Sequence, residues 1–116
     1  DKVKIEYAMD KLELDVDTAV PIGLIVNELL TNSLKYAFPN NNNGNISISL
    51  YKTYPETLTL KVADNGVGKQ FGQAAKGTGF GSQLIQLLTQ QLNGNMVEKT
   101  DSGTKVEFQF HINTAA

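Results

Sequence analysis

The chain has no cysteine and no tryptophan among its 116 residues. Without cysteine there is no disulfide, no thiol nucleophile and no thiolate metal site. That usage suits a reducing compartment, and a cytoplasmic location is the expectation. A basic excess is lacking too, because 10 Lys and Arg against 12 Asp and Glu give a net charge of −2. Nucleic-acid binders usually carry a basic face, so no nucleic-acid partner is expected. No apolar run reaches the roughly 18 residues of a membrane helix. The longest candidate, "GLIVNELL", is broken by Asn27 and Glu28. No membrane contact is expected of this domain, and no secretory signal opens the chain. It begins at Asp1 and runs straight into strand-like sequence, as a piece of a larger protein would.

What is present reads as one ordinary globular domain. A hydrophobic fraction of 41% with 19% charged residues is typical of such domains, and this length can bury a core. Val3, Ile5 and Tyr7, then Leu12, Leu14 and Val16, alternate with polar residues and predict two short strands. Asp17 or Thr18 is expected to cap a helix with Pro21 in its first turn. That helix runs to about Ala37 and is stopped by Pro39; "PNNNNGN" beyond it is a polar loop. "ISISLY" and "TLTLKVAD" alternate cleanly and are joined by "YPE". From Gly66 to Gly81 there are six glycines, the composition of a mobile loop. Leu84, Ile85, Leu88 and Leu92 then have helical spacing, with Gly94 as the stop. "NMVEKT" and "TKVEFQFHI" close as a hairpin through "DSG". The sum is an α+β two-layer sandwich, a mixed sheet with helices on one face.

Chemistry concentrates in three places. In "NELLTNSLKYAF" the 100° helical step puts Ile22, Val26, Leu29, Leu30, Ser33 and Ala37 on one side, able to face a sheet. Glu28, Asn32 and Lys35 fall within about 60° of each other on the opposite side, with Tyr36 at the border. A solvated face accounts for Glu28 and Lys35. It does not account for Asn32, a mediocre helix former whose side chain competes for backbone hydrogen bonds. An acid, an amide oxygen and an ammonium at this spacing form a hard oxygen site for magnesium flanked by a cation for phosphate.

The other two places are "DNGVG", starting at Asp64 after a strand pattern, and "GTGFG", starting at Gly77 before a helix. Alternate glycines before a helix N-terminus offer free amides and partial positive charge to an anion. "DNGVG" is open to two readings, a turn through Asn65-Gly66 or a place where glycine admits a ligand. A dinucleotide fingerprint fails, because Ser82 stands at the sixth position and no strand precedes it. A P-loop fails because no Gly-Lys-Ser/Thr triplet exists.

These boxes, followed by "GT" at Gly103 and Thr104, resemble in order the catalytic ATP-binding domain of sensor histidine kinases. The wider superfamily holds gyrase, Hsp90, the histidine kinases and MutL. The resemblance spans about Val16 to Phe110, and "GLIVNELLTNSLKYAFP" is most similar to a subgroup related to the HWE kinases. It implies a Bergerat-type fold with an ATP lid loop and a kinase using ATP and Mg2+. Asn32 would ligate magnesium, Lys35 would reach the phosphates and Tyr36 would lie along the adenine. Asp64 would accept from the adenine amine, with Gly66 and Gly68 making room for the base. Gly77, Thr78, Gly79, Phe80 and Gly81 would line the phosphates, and Thr104 would support the adenine pocket. Residues Lys69 to Lys76 would form a lid short for the family, with Phe71 as its large apolar residue.

Glu28 stands where many such kinases carry asparagine. It would act as a general base or as a metal-facing acid. The single histidine, His111, alternates with Phe108, Phe110 and Ile112 and is a poor phosphoacceptor, so the acceptor is expected on a separate dimerisation domain, with a response regulator downstream. The alternatives are an anti-sigma-factor-type serine kinase, an ATPase switch of the same fold, or an inactive nucleotide-binding module.

Overall fold

The structure is a computed structural model that describes residues 3–37, 44–53, 56–66, 80–99 and 103–112. Five strands form one mixed sheet: β1 (Val3–Met9), β2 (Gly44–Thr53), β3 (Thr57–Asp64), β4 (Gly94–Lys99) and β5 (Thr104–His111), in the order β1-β2-β3-β5-β4. Only β1 with β2 is parallel; every other pair in this sheet is antiparallel. Helices α1 (Val16–Asn32) and α2 (Phe80–Gln91) complete the α+β sandwich.

Alternation decides which face is covered. Ile46 and Ile48, Leu58, Leu60 and Val62, and Val106, Phe108 and Phe110 are buried at every second position of the three central strands. Ile22 and Ile25 from α1 and Ile85 and Leu88 from α2 join them in one cluster. Phe108 and Phe110 stack at 5.7 Å. The other face is polar, with the Lys61 ammonium 5.7 Å from the Tyr51 ring centre and 3.9 Å from Glu107. His111 lies on that polar side beside Glu56 at 3.9 Å, in an interior strand rather than at an edge.

Several boundaries differ from the expected ones. Leu12 to Asp15 form no strand; Leu12 and Leu14 instead pack against the core as the chain crosses toward α1. The cap of α1 is Asp15, whose Oδ1 accepts from the Thr18 N–H at 2.9 Å, not Asp17 or Thr18. Pro21 is consequently the sixth helical residue, in the second turn, and is buried. Helical structure does reach Ala37, but Ser33–Ala37 form a π-helical turn. At the end of α2 the left-handed residue is Asn93, φ 54°, rather than Gly94. Gly94 already belongs to β4, and a Cβ there would stand 2.5 Å from Cδ1 of the Phe110 ring. The turn around Tyr54 and Pro55 and the loops at 38–43, 67–79 and 100–102 lie outside the described residues.

Candidate nucleotide site

Asp64 ends β3 two residues after Val62, so the strand period turns its side chain to the helix-covered face. Its Oδ1 accepts from two backbone N–H groups, Gly66 at 3.0 Å and Thr104 at 3.2 Å. Its Oδ2 accepts from the Ser33 hydroxyl at 2.9 Å. The Gly66 bond is an Asx turn, so the turn reading of "DNGVG" is correct as far as it goes. It accounts for one of three donors; the other two come from positions 31 and 40 residues away. Three separate segments fix one half-buried carboxylate.

Neighbouring residues hold the strand end still. Asn65 continues the ladder to β2, its N–H donating to the Asn45 carbonyl at 3.2 Å and its Oδ1 accepting from the Asn45 N–H at 2.8 Å. Gly103 has φ +116°, and a Cβ there would fall on the Asp64 carbonyl oxygen. The "GT" pair is thereby explained. Glycine lets the start of β5 press on Asp64, and Thr104 then aligns its N–H with the carboxylate.

A second cluster lies along α1. The Glu28 carboxylate rests against Gly81 in the first turn of α2, so close that a Cβ on Gly81 would strike it. Negative charge beside a helix N-terminus is stabilised by the oriented peptide dipoles. Asn32 is half-buried one turn beyond Glu28 and adjacent to Ser33, so α1 links the two clusters.

The helical wheel needs one correction. Glu28, Asn32 and Lys35 do not lie opposite the core. The buried stripe is centred on Pro21, Ile22 and Ile25, which leaves Glu28 and Asn32 half-buried on its flank and Lys35 exposed. Ser33, read from sequence only as a sheet-facing position, is the member of the Asp64 cluster that sequence reasoning missed. The sequence offers only a hydroxyl on an otherwise apolar stripe, and the structure supplies its partner. Gly68, Gly77, Thr78, Gly79, the lid residues Lys69 to Lys76 and the side chains of Tyr36 and Phe80 lie outside the described residues.

Among the described residues no helix is long and apolar enough to cross a membrane. None of their acidic or histidine side chains gather in groups of three able to hold a metal.

Residues 17–114 match the family described as histidine kinase-, DNA gyrase B- and HSP90-like ATPase. The chain is 31% identical over 107 residues to blue-light-activated histidine kinase 2 of Erythrobacter litoralis, a match covering 90% of this chain and 31% of that protein. It therefore spans about a third of that relative's length. The histidine kinase domain of the EL346 blue-light activated kinase from the same organism superposes with a TM-score of 0.85 at 28% identity, over 94% of this chain and 51% of that one. The Acinetobacter baumannii histidine kinase AdeS shares the fold, with a TM-score of 0.75 at 19% identity over 97% of this chain and 56% of that one.

Proposed function

The chain belongs to the histidine kinase-, DNA gyrase B- and HSP90-like ATPase family, and from that premise we propose that it is the catalytic engine of a cytoplasmic two-component sensor kinase. It binds ATP with magnesium and passes the γ-phosphoryl group to a histidine on a dimerisation domain of the same protein, with a response regulator downstream. The histidine kinases among its relatives favour this over a serine kinase or an ATPase switch. The acceptor is assigned to that other domain because His111 lies on the polar face of the sheet, away from the helix-covered face that holds Asp64.

The observation that carries the reading is the Asp64 carboxylate, half-buried beside the end of α1 and held by Ser33, Gly66 and Thr104. Such a group suits hydrogen bonding to the adenine amine, with Gly66 and Gly68 leaving space for the base and Tyr36 alongside it. The phosphates then extend along α1 toward the start of α2. Lys35 and the amides of Gly77, Thr78, Gly79, Phe80 and Gly81 would receive them.

Magnesium fits this donor set. The ion keeps several waters and takes one or two protein oxygens besides the phosphates, and the Asn32 amide with the Glu28 carboxylate one turn earlier would provide them. When bound, it would neutralise charge on the phosphates.

Equilibrium nucleotide binding tests the reading. Wild type should bind ATP over GTP and require magnesium for full affinity. Asp64→Asn should remove the base preference, and Asn32→Ala should remove the magnesium dependence. Unchanged preference in the first variant and unchanged affinity in the second would sink the assignment.

A further inference from the structure

We propose that Ser33 is a specificity-determining positioning residue, which fixes the orientation of the Asp64 carboxylate and sets a second acceptor beside it, and so sharpens discrimination of a 6-amino from a 6-oxo purine. The inference rests on the proposed nucleotide reading and extends it to a residue that neither motif spacing nor helix periodicity assigned.

A carboxylate has about four acceptor positions, two on each oxygen. The Gly66 and Thr104 N–H groups take both positions on Asp64 Oδ1. The Ser33 hydroxyl takes one of the two on Oδ2, at 2.9 Å. One acceptor position therefore remains on Asp64. The hydroxyl proton of Ser33 is committed to the carboxylate, so its oxygen faces its surroundings only as an acceptor.

Two adjoining atoms, Asp64 Oδ2 and Ser33 Oγ, thus offer lone pairs and no proton. An amino group supplies what both lack. A carbonyl oxygen in the same place meets lone pairs only and leaves its own acceptor unsatisfied, which is strongly unfavourable in a desolvated site. Backbone donors alone would hold Oδ1 but leave the carboxylate free to pivot about that anchor. Ser33 stops the pivot, and it does so from the first residue of the π-helical turn. Such turns occur frequently at functional sites, where they alter the aim of the residues that follow.

ATP and ITP, which differ in the 6-amino and 6-oxo groups, are the probes. Their affinities for the 116-residue chain should be measured by calorimetry for wild type, Ser33→Ala and Ser33→Thr. Alanine suits a helical turn, so the Ser33→Ala protein should fold with a circular dichroism spectrum like that of wild type. Wild type should prefer ATP. In Ser33→Ala the ATP-to-ITP ratio should fall by about ten-fold, the scale of one charge-assisted hydrogen bond. In Ser33→Thr, which keeps the hydroxyl, the ratio should stay near that of wild type.

A purely structural role for Ser33 would weaken both nucleotides alike, and an unchanged ratio in Ser33→Ala overturns the proposal. Equal loss of the ratio in both variants overturns it as well, because the hydroxyl would then be irrelevant. A wild type that binds ATP without preferring it to ITP would remove the adenine-reading role of Asp64 itself. Failure at that level is distinct from failure of Ser33.

Discussion

Glu28 is the residue whose chemistry depends most on its immediate surroundings. Its carboxylate lies against the first turn of α2, the end of the helix that attracts anions and that is assigned above to the phosphates. A carboxylate there can orient a nucleophile or take its proton near the γ-phosphate. Glu28→Gln keeps the shape and removes the base. Steady-state ATP turnover at saturating ATP and magnesium should fall by about 100-fold, the lower range for general-base loss. Equal turnover would leave Glu28 with a structural or metal-facing role. The residue types at this site were legible in the sequence because their chemistry is costly elsewhere, as with Asn32 in mid-helix. Ser33 was not legible, since a serine on an apolar stripe is common, and only the folded position of Asp64 gives it a partner.

At the scale of elements, the strands were plain because a two-residue period with one face buried has a single solution. The segment from Leu12 to Val16 also alternates, yet it pairs with no strand. Asp15 caps α1 immediately afterwards, and Leu12 and Leu14 reach the core without a ladder. Alternation reports which side chains are buried, and it does not report whether a neighbouring strand exists.

Glycines show the same gap between composition and place. Gly103 has φ +116° with the Asp64 carbonyl where a Cβ would go, whereas Gly23 on α1 has nothing within 4 Å. Gly103→Ala should lower stability by about 2 kcal/mol or more and weaken ATP binding through Asp64. Gly23→Ala should raise stability by about 1 kcal/mol. Urea midpoints for the two variants should therefore move in opposite directions; a shared direction would mean that the local environments described here do not govern either glycine.

The whole molecule is a single sheet carrying its core on one side, with Phe108 and Phe110 fully buried at its centre. Phe108→Ala should reduce stability by about 3–5 kcal/mol. For a domain of this size that corresponds to a fall in Tm of more than about 10 °C, measurable by calorimetry. A fall of only a few degrees would show that the site collapses around the cavity. Fold class and the order of the boxes were readable along the chain because each box sits at the end of its own element. Their convergence was not readable, since it depends on β5 lying between β3 and β4.

The carboxylate of Asp64 is joined by Ser33 from a helix and by Thr104 from a strand that arrives 40 residues later. No contiguous stretch of the chain contains this cluster, so the unfolded ensemble has no fragment that could hold a base in the proposed way. The proposed nucleotide therefore binds only after β5 has docked on β3. By mass action it then acts as a folding ligand, adding about 2.7 kcal/mol at a hundred times its dissociation constant. Abundance of the protein in a cell would accordingly rise and fall with the concentration of that nucleotide.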